Sequence, residues 1–167
     1  MGLITWLNGA IYLETRDKED RKIATHSALQ LLKNKGSLLI FPEGAWNIEP
    51  AMPVMKLFPG TVRIARESGC KIVPIAIELY CNTYYVNIGK EFEVIGLGKD
   101  DWELTTKLRD ILATLKWEIF EKQGLFLRKE VSSISSKQYA EIIINRADYG
   151  YTLEDVYETR FQDNYHN

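Results

Sequence analysis

Three short runs rich in β-forming residues alternate with segments of helical periodicity, and this alternation constrains the fold more than any other feature. The runs are AIYLET (residues 10–15), SLLIF (37–41) and KIVPIAIEL (71–79). Strands that alternate with helices favour an α/β fold, because each crossover helix returns the chain to a neighbouring parallel strand. The sequence therefore predicts a mainly parallel central sheet flanked by helices, with SLLIF covered on both faces.

Two helices have recognisable ends in the sequence. The first is predicted from about Asp17, with a stop at Gly36. The second follows Asp100 and Glu103, which resemble a capping box, and it ends near Gly124. Apolar residues recur at helical spacing in both segments: Ala24, Ala28, Leu31 and Leu32 in the first, and Leu108, Ile111, Leu112, Leu115 and Ile119 in the second.

The third β-like run contains Pro74, which cannot donate to a sheet ladder. This residue predicts an edge position or a local bulge. The segments YYVNIG (84–89) and EFEVIG (91–96) follow, and they predict a hairpin or two adjacent strands.

The length of 167 residues predicts one main domain, and we place it at residues 1–125, with the sequence motifs at 9–95. Residues 126–167 form a predicted helical C-terminal extension, in which Ser135 and Gln138 repeat the helix-start signal. A net charge of −2 gives no basic face for nucleic acid. Cys70 and Cys81 belong to no metal-binding pattern and indicate free thiols in a reducing, cytoplasmic compartment.

Polar residues stand where each predicted strand ends. Arg16 follows the first strand, Glu43 and Gly44 follow the second, and Glu78 lies at the end of the third. In parallel sheets ligands bind at the carboxyl ends of the strands, so these residues are candidates for a common site. Each also has a plain structural interpretation, as a helix start, a strand-end cap or a surface carboxylate.

Three blocks in order resemble a known family. FPEG (41–44) resembles the F-P-E-G-T-R-S motif, GAIYLETR (9–16) is similar to the G-x-I-F-I-x-R block, and IVPIAI (72–77) is similar to the proline-containing apolar block. All three are features of the PlsC-like glycerolipid acyltransferases, and the resemblance covers roughly the first 95 residues.

The resemblance implies transfer of a fatty acyl group to a lysophospholipid or glycerol phosphate. The donor would be acyl-CoA or acyl carrier protein, and no further cofactor is implied. Carried over by motif, Arg16 pairs with the acceptor phosphate, while Glu43 and Gly44 line the acceptor pocket. Ala45 and Trp46 occupy the places of the family's Thr and Arg, so Trp46 would pack against glycerol or acyl carbons.

The family's second phosphate-binding arginine is absent from these positions. Lys56 and Arg63 are nearby basic residues that could replace it, or they could be plain surface charges.

The family's catalytic H-x-x-x-x-D has no counterpart in the chain. His26 is followed five residues later by Leu31, and His166 is the penultimate residue. No catalytic residue is therefore assigned. The chain is expected to be an N-terminally incomplete acyltransferase that does not turn over alone; the alternative is a non-catalytic module that binds a lipid phosphate or a protein.

Two expectations concern surfaces. The family works at membranes, so the resemblance implies peripheral contact with a membrane surface. An incomplete N-terminus would expose apolar residues and favour self-association; these residues are Leu3, Ile4, Trp6 and Leu7.

Overall fold

The computed structural model describes residues 9–11, 13, 17–44, 47, 52–80, 82–96 and 100–125, together with residues 134, 135, 137, 138, 141, 142, 145 and 154. Its elements, in chain order, are helix α1 (Lys18–Lys33), helix α2 (Gly60–Ser68), strand β1 (Ile75–Tyr80), strand β2 (Thr83–Ile88) and helix α3 (Asp101–Lys122).

Helix α1 begins and ends close to the predicted residues. The Asp17 carboxylate accepts from the N–H of Glu19 at 2.8 Å, which satisfies a backbone donor that the helix leaves unpaired. At the other end, the N–H of Gly36 donates to the Leu31 carbonyl at 2.9 Å. The left-handed residue of this C-terminal turn is Lys35, with φ 62°, and not the glycine that the sequence suggested.

Helix α3 begins with the predicted cap, because Asp100 Oδ1 accepts from the N–H of Glu103 at 2.8 Å. Its apolar side packs into the main core cluster, which draws on the segment before α2, on α2, on residues 92–94 and on α3. The members of that cluster are Val54, Leu57, Val62, Ala65, Phe92, Val94, Leu104 and Leu108.

Strands β1 and β2 form an antiparallel hairpin in which Tyr80 pairs with Thr83. The left-handed Asn82, with φ 61°, lies in the connecting turn, where a positive φ matches the twist of the two strands. The hairpin prediction had the wrong partners, because YYVNIG pairs with the preceding run and not with EFEVIG.

The predicted irregularity at Pro74 is confirmed as a bulge. Ile75 pairs with Ile88, and the bridge before it joins Ile72 to Phe92. Residues 73–74 therefore lie opposite residues 89–91, so the second segment carries one extra residue between the two pairs. The Pro74 carbonyl accepts from the N–H of Gly89 at 2.9 Å, which closes this end of the sheet without the N–H that proline lacks.

The α/β character of the chain is confirmed, but the sheet within the described residues consists of two antiparallel strands and no parallel ladder. Residues 37–41 are extended and belong to no ladder. Leu39 and Phe41 are 67% and 74% exposed, so the prediction that SLLIF is covered on both faces is wrong. A tight turn brings β2 beside β1 at little cost in loop-closure entropy, which favours the local antiparallel pair.

The hairpin has one covered face and one exposed face. Ala76 belongs to a buried cluster with Leu115 and Ile119 of α3. The opposite face carries the exposed side chains of the directly paired residues Ile77 and Val86.

Beyond α3, the predicted helix-start signal at Ser135 is formed. Its backbone N–H donates to Gln138 Oε1 at 3.1 Å, and the N–H of Gln138 donates to Ser135 Oγ at 3.3 Å. The division at residue 125 stays a prediction. In the described part of the chain, no helix combines the length and apolarity of a membrane span.

Candidate functional site

A cavity of about 900 Å³ lies between residues 36–44 and residues 70–77. Side chains of α2 and α3 complete its walls. Most of the lining is apolar and includes Leu38, Ile40, Ile64, Ala65, Ile72, Leu108 and Leu112. This volume falls within the range of about 300–1,000 Å³ that is typical of small-molecule sites.

Glu43 brings a carboxylate into this apolar lining. Its Oε2 accepts from the N–H of Met55 at 2.8 Å, and this bond ties the turn after residue 41 to the segment before α2. Burial raises the pKa of the Glu43 carboxyl, while the Met55 hydrogen bond and the Lys116 ammonium oppose that rise.

Gly44 has a conformational role in the site. Its φ is 66°, and its N–H donates to the Phe41 carbonyl at 3.3 Å to close the turn that carries Glu43. A Cβ at this position would meet no atom within 4 Å. A positive φ, and not close packing, is therefore what the turn requires of a glycine here.

Asn47 makes a hydrogen bond within the segment that follows the FPEG turn. Its Nδ2 donates to the carbonyl of Met52 at 2.7 Å. The position that carries a serine in the F-P-E-G-T-R-S motif therefore holds an asparagine that is linked to the segment before α2.

Lys116 of α3 also lines the cavity, although it lies far from the FPEG turn in the sequence. Its ammonium lies 3.4 Å from Oε2 of Glu78, whose side chain is only 8% exposed. Of the two predicted strand-end carboxylates, Glu78 therefore pairs with Lys116, whereas Glu43 lines the same cavity as this lysine.

The sequence analysis did not assign Lys116 to the site, although its position in the helix indicates a buried charge. It lies four residues after Leu112 and four before Phe120, within the apolar side of α3. A charged side chain on the apolar side of a helix would be buried, and buried charges are usually paired.

Three of the predicted site residues, Arg16, Ala45 and Trp46, lie outside the described residues. The two basic residues considered as replacements are engaged elsewhere. Arg63 pairs with Asp101 at 3.0 Å, and the Lys56 ammonium lies 5.1 Å from the centre of the Trp102 ring. Neither lines the cavity.

Lys71 is the other basic residue of the lining, and it faces a different set of charges. Its ammonium lies 2.6 Å from Glu91 and 3.0 Å from Glu93, and these hydrogen bonds raise its pKa. All three side chains are at least half exposed, so this cluster is a solvated surface feature.

The cavity can hold an amphiphilic ligand, with apolar walls for hydrocarbon and a carboxylate to accept from a hydroxyl. Within the described part of the lining there is no histidine, and His26 is exposed on α1. The Thr61 hydroxyl and the Cys70 thiol lie in the lining without a base that the structure places beside them.

Comparison with known proteins gave one match, to a family model. No curated protein and no solved structure matched the chain. Residues 1–78 match the family model described as Acyltransferase, a range that includes the FPEG turn, Glu43 and Glu78. The match covers slightly less than half of the chain, and it agrees with the resemblance seen in the sequence.

Proposed function

We propose that the cavity binds the acceptor of an acyl transfer from acyl-CoA or acyl carrier protein to a lysophospholipid such as 1-acylglycerol-3-phosphate. The observation that carries this proposal is the position of Glu43, in the family-like FPEG turn, in a largely apolar cavity of about 900 Å³. The apolar walls suit an acyl chain, and the carboxylate suits the acceptor hydroxyl.

In such a transfer the acceptor oxygen attacks the thioester carbonyl carbon. A C–O bond forms, the C–S bond breaks, and a base carries the hydroxyl proton to the departing thiolate. Glu43 would orient the hydroxyl in this scheme. Since the described residues that line the cavity include no histidine, we propose that the 167-residue chain binds the acceptor without turning it over.

Binding can be measured by calorimetry with 1-acylglycerol-3-phosphate below its micellar concentration. Glu43→Gln keeps the shape and the Met55 bond but removes the charge, and we expect about tenfold weaker binding from a weakened charge-assisted hydrogen bond. Glu67→Gln, an exposed carboxylate on α2, is the matched control and should bind like the wild type. Equal affinity in all three proteins would contradict the proposed site.

The role proposed for Arg16 has its own test. Arg16→Ala should weaken binding of the phosphorylated acceptor more than binding of 1-acylglycerol, which lacks the phosphate. An identical loss for both ligands would argue against a phosphate contact.

Turnover is tested by thiol release from acyl-CoA in the presence of the acceptor. We expect no release above the uncatalysed rate. Release that is abolished by His26→Ala would show that a histidine outside the cavity is the base, and it would overturn this account.

The absence of a histidine from the described lining also fits a second function, a non-catalytic module that binds a lipid phosphate or a protein. The two candidates differ in their response to the donor. A domain that takes part in acyl transfer should bind acyl-CoA or acyl carrier protein in addition to the acceptor. A lipid-binding module should bind the acceptor alone. Cosedimentation with anionic vesicles tests the peripheral membrane contact that either function would use.

A further inference from the structure

We propose that the outer edge of β2 pairs with the same edge of a second copy of this chain, in an antiparallel ladder with a two-fold axis at Val86. Among the described residues, β2 has β1 as its one neighbour in the sheet, so its other side is an edge. This surface differs from the apolar residues near the N-terminus that the sequence suggested for self-association. The pairing does not depend on the proposed function.

The hydrogen-bond pattern of the hairpin shows which backbone groups of β2 point outward. The N–H of Gly89 donates to the Pro74 carbonyl at 2.9 Å, one position beyond the last pair of the β1–β2 ladder and in the same register. Hydrogen-bonded and non-hydrogen-bonded pairs alternate along an antiparallel ladder. Counted from Gly89, the N–H and carbonyl groups of Tyr84, Val86 and Ile88 therefore point away from β1.

The same three residues also have exposed side chains. Tyr84, Val86 and Ile88 are 64%, 55% and 64% exposed, and no backbone hydrogen bond joins them to another described residue outside the hairpin. Proteins usually protect a sheet edge with a charged side chain, a proline or a bulge. Residues 83–88 contain no charge and no proline, and they pair with β1 in an unbroken register. The edge is therefore open to another strand.

A second copy satisfies this edge completely. With the axis at Val86, this residue pairs with its own counterpart, and Tyr84 pairs with Ile88 in both directions. All three pairs are then hydrogen-bonded pairs, so every outward N–H and carbonyl of the three residues has a partner. Tyrosine opposite isoleucine is an aromatic and β-branched pair, which stabilises antiparallel sheets.

Charge and symmetry also favour a second copy over a different protein. A two-fold axis places equivalent residues opposite or close to each other, and like charges there would destabilise the pair. Strand β2 has no charged residue, so its own copy meets no such repulsion along the strand. The pairing uses the same edge in both copies, so it closes at two chains.

The opposite edge of the hairpin is less suitable. Ile75 and Ile77 of β1 line the cavity, with residues 36–44 on its other side. A strand added to β1 would have to fill that cavity. The pairing is therefore assigned to β2.

Sedimentation equilibrium over micromolar to millimolar concentrations tests the pairing, because one pair of short strands is a small interface that binds weakly. The wild type should pass reversibly from one copy to two as the concentration rises. Val86→Lys and Val86→Glu should each remain monomeric, since the axis brings two like charges together. An equimolar mixture of the two variants should regain the dimer, because opposite charges then face each other.

Ile77→Lys is the matched control. Ile77 lies directly opposite Val86 in the hairpin and is also exposed, but it is on β1 and away from the proposed edge. This variant should dimerise like the wild type. Loss of the dimer in Ile77→Lys as well as in Val86→Lys would indicate packing through the apolar face and would overturn the edge pairing, as would a mixture that stays monomeric. A wild type that is monomeric throughout would overturn the second copy and leave the edge to an extended segment of another protein.

Amide hydrogen exchange of the wild type measures the edge directly and needs no variant. The N–H groups of Tyr84, Val86 and Ile88 should exchange about tenfold more slowly at a concentration where about nine-tenths of the chains are paired, since exchange then proceeds through the remaining monomer. Those of Tyr85 and Asn87 point towards β1 and should be protected equally at low and high concentration. Rates at Tyr84, Val86 and Ile88 that do not change with concentration would overturn the proposal, even in a protein that dimerises through another surface.

Discussion

Lys35 adopts a backbone conformation that side chains disfavour. Its φ of 62° places it in the left-handed region, where the Cβ of an L-residue is crowded by its own carbonyl. Its N–H donates to the Leu32 carbonyl at 3.0 Å, and that of Gly36 donates to Leu31, the paired bonds of a Schellman turn. The chain thus ends α1 with lysine at the position that glycine usually takes.

We predict that Lys35→Gly stabilises the protein by about 0.5–1 kcal/mol, because the relief of crowding exceeds the entropy that glycine gains in the unfolded chain. Lys33→Gly, two residues earlier within the helix, should instead destabilise it by about 0.5–1 kcal/mol. Urea unfolding at pH 7 measures both values. Changes of the same sign in the two variants would contradict the assignment of the turn.

Glu43 couples stability to pH. Burial raises its pKa above the ordinary value of 4.5, so the native state holds the proton to higher pH than the unfolded chain does. In the window above 4.5 the native state binds more protons, and the contribution of Glu43 to the free energy of unfolding therefore falls as the pH rises.

We predict that Glu43→Gln becomes progressively more stable than the wild type as the pH rises from 4.5 through this window, and that the difference then levels off. The free energy of unfolding, measured by urea titration at several pH values, tests this. Glu67→Gln is the control for an exposed carboxylate and should track the wild type. A difference that is constant from pH 4 to pH 8 would show that Glu43 is not buried as described.

Among the elements, the contact of the hairpin with α3 depends on a glycine. A Cβ on Gly89 would lie 2.9 Å from Cδ1 of Leu115 and 3.4 Å from Cγ of Pro74. Gly89 also donates the hydrogen bond that closes the sheet at Pro74. The missing side chain therefore lets α3 lie close against the end of β2.

We predict that Gly89→Ala destabilises the protein by about 1–3 kcal/mol through overpacking. Leu115→Val shortens the crowded side chain, and in the double variant it should recover part of that loss. Gly60→Ala, at the exposed first residue of α2 with no atom within 4 Å of its Cβ, is the control and should be neutral or slightly stabilising. Thermal and urea unfolding measure these changes in stability. If the effects of the two substitutions simply add in the double variant, that result would argue against a contact between residue 89 and Leu115.

The same elements show what the sequence could predict. The start of α1 at Asp17, the start of α3 after Asp100 and the bulge at Pro74 follow from interactions within a few residues, and such local rules can be read directly. The partner of β1 depends on competition between distant and adjacent strands, which periodicity alone does not decide. For the site, the sequence placed Glu43 in a candidate pocket, but Lys116 is 73 residues further along, and only the packing of α3 brings it there.

For the whole molecule, the site is assembled from parts of the chain that are far apart in sequence. Glu43 comes from the turn after residues 37–41, Glu78 from β1 and Lys116 from α3. The main core is distributed in the same way. Four of its buried members precede residue 78 and four follow it.

We predict that a fragment of residues 1–78 does not fold, because it would expose the apolar surface that Phe92, Val94, Leu104 and Leu108 cover. Far-ultraviolet circular dichroism and the dispersion of amide proton shifts measure this. The full chain under the same conditions is the control. A fragment with dispersed amide shifts and a sigmoidal unfolding curve would contradict the prediction.

The end of the family match at residue 78 does not coincide with an edge of the hydrophobic core. The end of the family match marks where sequence similarity stops, whereas the buried cluster continues through α3 and must be lost or kept as one cooperative unit. A gene fusion or deletion that took residue 78 as an edge would keep the FPEG turn but remove Lys116 from the cavity lining and half of the buried cluster. Residues outside every recognised motif therefore contribute to both the cavity and the core.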